Sequence, residues 1–111
     1  MKTKTIVVVK DFHRSPFGRY KKQFGERSGQ AFRENVLAPA LRSYDRVDVI
    51  LDGYNKYGRS FIDESFGGLI REEGFSYEFL KQHLTYSHDL VESFGMLIEE
   101  RIKKAHRDSC D

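Results

Sequence analysis

Two runs of consecutive β-branched and aliphatic residues, Ile6-Val7-Val8-Val9 and Val47-Asp48-Val49-Ile50-Leu51, constrain the fold of this chain more than any other feature. Continuous rather than alternating hydrophobicity marks strands covered on both faces, the kind found at the centre of mostly parallel sheets. Parallel neighbours cannot be joined by a tight turn, so a crossover must lie between them. Phe32, Val36, Leu37, Ala40 and Leu41 supply it. Their i, i+4, i+8 spacing predicts an amphipathic helix over roughly residues 29–43, started at Ser28-Gly29. Pro39 predicts a bend near Val36, because an interior proline removes a backbone hydrogen bond and crowds the preceding turn.

After the second run, Gly53-Tyr54-Asn55-Lys56-Tyr57-Gly58-Arg59 has turn composition, and Ser60-Phe61-Ile62-Asp63 resembles a capping box with Asp in place of Glu. Ile62, Phe66, Leu69 and Ile70 share one face of the helix that follows, and Gly67-Gly68 remove side-chain bulk from another, which suits close approach of a strand or partner. Gly74 is its natural C-terminal stop. Ser76 to Thr85 fits a short helix and a brief strand about as well as one strand, and the first is preferred. Leu90, Val91, Phe94, Leu97, Ile98 and Ile102 define a terminal amphipathic helix whose charged end should fray from about residue 106. The expected architecture is one α/β domain over residues 1–111, with a small mixed or mostly parallel sheet packed by amphipathic helices and joined by right-handed crossovers.

With 39% hydrophobic and 14% aromatic residues, the chain carries enough apolar material to bury a core, so intrinsic disorder is excluded. A formal charge of +2 argues against a general polyanion binder. The charge is nevertheless segregated: seven basic residues and two acidic ones lie between Lys10 and Arg33, which leaves that segment at +5 and the rest at −3. Cys110 stands alone, which excludes an intrachain disulfide or a cysteine metal site and points to a reducing, cytoplasmic setting. The Ile6-to-Val9 run is far too short for a membrane span or a secretory signal core.

Two regions are candidate sites. At the start of the second helix, Asp63 and Glu64 lie where the positive end of the helix dipole stabilises an acid by about 0.3–1 kcal/mol. Capping and dipole compensation account for Asp63, while Glu64 and Ser65 stay open between that role and a functional one. The second region is the connection of about 18 residues before the first helix, longer than the usual four to six. Phe12, Phe17, Tyr20 and Phe24 are interleaved there with basic residues, and Arg19, Lys21, Lys22 and Arg33 are candidate anion contacts. Three readings compete: aromatics folded onto the core beneath a solvated loop, a strip for single-stranded nucleic acid, or a basic surface facing the acidic Asp63-to-Glu78 stretch of a second copy or partner. Tyr54, Tyr57 and Arg59 are placed to line a groove at the strand ends. His13, His83, His88 and His106 lack metal-ligand spacing, and His88-Asp89 reads as a helix start rather than a dyad. No glycine-rich phosphate loop follows a strand, and no nucleophile elbow is present.

Gly18-Arg19, Ser28-Gly29-Gln30-Ala31-Phe32-Arg33 and the block from Ser60 to Leu69 together resemble a bacterial STAS-like family of unknown function. Behind it stand the anti-sigma factor antagonists, whose second helix opens with Ser-Phe-Met-Asp-Ser-Ser-Gly-Leu-Gly and is phosphorylated by a GHKL-type ATPase on the first serine after the aspartate. Ser60, Phe61 and Asp63 match that motif, Glu64 falls on the phosphoacceptor position, and Ser65 on the serine after it. Glutamate cannot be phosphorylated, so the switch is absent, moved to Ser65, or replaced by a fixed charge. The resemblance implies a non-catalytic, cofactor-free and metal-free signalling module. It would contact a GHKL-type, histidine-kinase-like partner through Arg59, Ser60, Phe61, Asp63, Glu64, Ser65, Gly67 and Gly68. A second copy of the chain stays open as a partner, and a membrane is not expected. The alternatives are a nucleotide- or ligand-binding module or enzyme built on Arg19, Arg59, Asp63 and Glu64, and nucleic-acid binding by residues 10–33.

Overall fold

Three parallel strands, β1 (Thr3–Val7), β2 (Arg46–Ile50) and β3 (Leu84–Ser87), form a sheet in the order β1-β2-β3 in the computed structural model, which describes residues 2–109. The lone Cys110 therefore lies outside the described residues. Ile6 pairs with Val49, and Val49 in turn with Tyr86. The second aliphatic run is the central strand, as its composition predicts, and Val47, Val49 and Leu51 are fully buried. The first run is not central. It straddles the end of edge strand β1 and a helical turn, α1 (Val8–Asp11), so that Ile6 and Val8 reach the core from different elements. Asp11 closes this turn by accepting the Val7 N–H at 2.7 Å.

The long connection holds no hairpin. It contains a helical turn, α2 (Lys21–Phe24), and a 3-10 turn (Gly25–Arg27), and leads into helix α3, residues 29–43. Ser28 caps α3 by accepting the Ala31 N–H at 3.1 Å, while the Gly18 and Arg19 carbonyls accept the N–H groups of Gly29 and Gln30. The connection thus supplies the acceptors that a helix N-terminus lacks within itself. Around Val36, where a bend is expected, the helix departs from α geometry. Arg33–Leu37 is wound as a π-helix, in which the Ala38 N–H reaches back five residues to Arg33, and Pro39 falls in the first turn of the α-helix that resumes.

Helix α4 spans residues 59–71 and contains a second π-helical turn at Asp63–Gly67. Gly74, at φ +81°, turns the chain after it, and the Phe75 N–H bonds the Leu69 carbonyl. The ambiguous stretch is a helix, α5 (Tyr77–His83), capped by Ser76, followed by β3. Helix α6 (Ser93–Ser109) buries Phe94, Ile98, Ile102 and Ala105, whereas Leu90 stands 81% exposed ahead of it. Helical geometry continues past residue 106 to Ser109, where a Lys104–Asp108 pair and a Ser109-to-His106 hydrogen bond lie in the last turn.

Helix α4 lies between α3 and α6 and touches both. Phe32 and Phe61 stack across the α3–α4 seam at 5.9 Å, and Phe66 lies 6.4 Å from Phe32. All three are fully buried, which stabilises the fold by about 1.5–3 kcal/mol per ring. The seam is tight because Gly29 has no side chain: a Cβ there would lie 2.6 Å from the Phe61 carbonyl oxygen. A backbone atom cannot swing aside, so Gly29→Ala should destabilise the protein by about 1–3 kcal/mol, despite alanine's better helix propensity. Urea denaturation of the two proteins measures this directly.

Candidate functional site

Asp63 and Glu64 do not cap α4. The helix starts at Arg59 with Gly58 as its N-cap and no side-chain cap, which places both acids on the second turn, buried. Asp63 is bound by three arginines from three parts of the chain: Arg19 Nη1 at 2.7 Å, Arg71 Nη2 at 3.1 Å and Arg101 Nε at 3.0 Å. Glu64 takes Arg33 Nη1 at 2.5 Å and Arg19 Nη1 at 3.3 Å. Arg33, only 3% exposed, also donates to the Glu64 carbonyl and to Glu73, and Glu73 holds Arg42 at 2.9 Å. The result is a continuous ladder, Arg42-Glu73-Arg33-Glu64-Arg19-Asp63, that ends on Arg71 and Arg101. It fastens α3, α4, α6 and the basic connection to one another.

The π-helical turns belong to this ladder. Arg33 opens the one in α3, Asp63 and Glu64 open the one in α4, and the backbone carbonyls of both acids accept additional guanidinium bonds. Gly67 and Gly68 complete the fit. A Cβ on Gly68 would overlap Arg33 Nη1, and one on Gly67 would lie 2.8 Å from Arg71 Nη1 and 3.3 Å from the Arg101 carbonyl oxygen. The paired glycines make room for guanidinium groups and the α6 backbone, not for a strand or an outside partner.

Burial by itself would raise the Asp63 pKa, but hydrogen bonds from Arg19 and Arg71, supported by Arg101, outweigh it and hold the carboxyl below the ordinary Asp value. Burial likewise opposes the charge of Arg19 and Arg33, and their carboxylate hydrogen bonds win, so both stay firmly protonated. These groups are committed to each other, as in a structural ion network.

The residues of the expected partner face differ in exposure. Of its residues, Arg59 and Ser60 are exposed, whereas Phe61, Asp63, Glu64, Ser65, Gly67 and Gly68 are buried. Ser65 Oγ donates to the Phe61 carbonyl at 2.7 Å and lies beneath Gly29, so the phosphoacceptor role suggested for Ser65 has no accessible hydroxyl. The strand-end groove is corrected. Tyr57 is 5% exposed and packs edge-to-face on Tyr54 and Phe94, and burial pushes its phenol pKa up, with Tyr54 and Asp52 adding to the shift. His88 is satisfied on both sides: Nδ1 accepts the N–H groups of Leu90 and Val91, so Nε2 carries the proton that bonds the Tyr54 carbonyl. It organises the approach to α6, as a helix-start residue should.

The basic connection meets the acidic stretch within one chain. Arg19 meets Asp63 and Glu64, and Arg33 meets Glu64 and Glu73, while Lys21 pairs with Glu34 of α3. Its aromatics divide in two. Phe12 packs on Phe32 and joins the core, but Phe17, Tyr20 and Phe24 stay 45%, 46% and 38% exposed. Phe17 and Phe24 form an edge-to-face pair at 5.3 Å, and Phe24 lies over Gly18, whose φ of +86° and missing side chain allow it.

Between this aromatic pair and the first turn of α4 lies a groove of about 290 Å³, lined by Phe17, Gly18, Arg19, Phe24, Gly58, Arg59, Ser60 and Phe61. It unites the exposed remainder of both candidate regions. Arg59 at its rim has no ion pair among the described residues. The sequence marked Phe17 and Phe24 by their interleaving with basic residues. It held no local sign of Arg71, Arg101, Glu73 or Arg42, since each meets its partner eight or more positions away.

A three-stranded parallel sheet packed by amphipathic helices, with an internally neutralised acidic block on the middle helix, defines a small α/β domain of the STAS-like class. Residues 28–93 match the model of the STAS-like domain of unknown function, and the chain belongs to that family. Searches of curated proteins and of solved structures found no match.

Two expectations follow from the ladder. Glu64→Gln takes from buried Arg33 one carboxylate partner while Glu73 stays in place, and should cost about 1–3 kcal/mol. In a cycle with Arg33→Met and the double variant, denaturant unfolding should show the double change costing clearly less than the sum of the singles. The Asp63 pKa lies below its unfolded value, so the stabilisation is complete at neutral pH and is lost as pH falls from about 4 through the folded-state value. Asp63→Asn should therefore be less stable than wild type at pH 7, with the gap narrowing on acidification. Urea midpoints from neutral to acid pH read this out.

Proposed function

We propose that this chain is a cytoplasmic, bacterial, non-catalytic signalling module that acts by protein–protein contact, with the Phe17–Phe24–Arg59 groove as its contact surface. The observation that carries this reading is the groove itself, where exposed aromatic rings meet an arginine with no ion pair among the described residues. Exposed aromatics and arginine are the residue types that dominate interface energetics. The acids of α4 support a structural part for the helix body, since each is held by at least two arginines. A GHKL-type, histidine-kinase-like ATPase is the partner class the family resemblance suggests. No helix among the described residues is long and apolar enough to cross a membrane, which fits a module that works without inserting in one.

A second reading shares the site. A nucleotide or other small anionic ligand is favoured by Arg19 and Arg59 at a cavity close to the lower end of ligand-pocket volumes, about 300 Å³. Phe17→Ala together with Phe24→Ala removes exposed rings and should leave most of the thermal stability intact. It should weaken capture of the native partner by roughly tenfold or more. Affinity purification from the source cells with wild type and variant, followed by titration calorimetry with the captured protein, makes the measurement. Undiminished binding would remove the groove as the contact surface, and calorimetric binding of ATP lost in the same variant would favour the ligand reading.

A further inference from the structure

We propose that the occupant of this groove is a short acidic segment of a partner protein carrying a bulky apolar anchor, an inference that rests on the groove being a protein-contact surface. The first argument is charge complementarity. No acidic residue lines the groove, while Arg19 and Arg59 do, and the Arg27 guanidinium lies 5.5 Å over the Phe17 ring. Arg19 is tied inward by Asp63 and Glu64, which leaves Arg59 as the lining cation with no counter-charge among the described residues. A basic segment would find nothing to pair with there, and a neutral one would leave Arg59 unanswered as water is excluded.

The second argument concerns which anion. Single-stranded nucleic acid needs a track of free cations along its backbone and separated aromatic platforms for its bases. The groove offers no such track. Of the seven basic residues between Lys10 and Arg33, only Arg19 lines it, and Asp63 and Glu64 hold that guanidinium. Phe17 and Phe24 pack edge-to-face at 5.3 Å and 77°, which joins them into one apolar wall and not two separated platforms. Such a wall suits one aliphatic or aromatic side chain, with carboxylates beside it reaching Arg59.

The test uses the full chain and fluorescein-labelled peptides in which Asp and Glu flank a central Leu-Phe pair, with two controls: the acids replaced by Lys, and the Leu-Phe pair by Ala-Ala. Fluorescence anisotropy should show the acidic peptide binding, roughly tenfold weaker to Phe17→Ala and to Arg59→Glu, with the Lys peptide gaining affinity for Arg59→Glu. Thermal melts confirm that both variants fold. Equal binding of the acidic and Lys peptides, indifference to Arg59→Glu, or displacement of the acidic peptide by oligothymidylate would overturn the proposal. A concentration-dependent dimer abolished by Phe17→Ala would assign the groove to a second copy and overturn it too. If the captured native partner depends on Phe17 and Phe24 but not on Arg59, the protein-contact reading stands and the acidic segment alone fails. If it depends on none of them, both fail.

Discussion

The Arg33–Glu64 pair is the interaction on which the rest of the architecture hangs. Arg33 is almost completely buried, and a guanidinium in that position must have its donors met, because an unpaired buried charge costs far more than the pair is worth. Glu64 meets it with both a carboxylate oxygen and a backbone carbonyl, and Glu73 takes the Nε. From that demand follow the glycine at position 68, whose missing side chain leaves room for the head group, and the close seam between α3 and α4. Compared with an apolar core of similar volume such a ladder adds little stability, but it admits very few arrangements of its helices.

The ladder also resolves the contrast between a near-neutral total and a segregated chain. The +5 segment and the acids beyond residue 63 are distant in sequence and adjacent in space, so the charge asymmetry becomes cohesion inside one domain. A solvated basic arm would repel itself and search for polyanions. This one is anchored by Arg19, by Lys21 and by the backbone bonds that cap α3. The connection is thereby held against the first turn of α4, and the groove exists only because of that docking.

The periodic elements were legible from one dimension. Helix α3 begins and ends where the spacing of Phe32, Val36, Leu37, Ala40 and Leu41 puts it, Ser28 caps it, and Ser76 starts the short helix before β3. These features depend on local chemistry, on which residue can accept an N–H and which face is apolar. The misplacements share a cause. Ile6-to-Val9 has the composition of a buried strand, but one of its two buried residues, Val8, lies in a helical turn, and composition reports burial without reporting what does the burying. Asp63 shows the same limit: three residues after a serine it has the spacing of a cap, and only the position of Arg19, Arg71 and Arg101 reveals that it faces inward.

By itself, the sequence determined a small α/β domain with parallel strands, the span of its helices, and the family resemblance carried by the Ser60-to-Leu69 block, because hydrophobic period and turn chemistry are written in neighbouring residues. The tertiary structure alone decided that the acids of this block are buried and ion-paired. It also decided that Ser65 is sealed under Gly29, and that the open surface lies where Phe17 and Phe24 meet Arg59. Burial and charge compensation are properties of residues 30 to 45 positions apart, and no local pattern encodes which of them will meet.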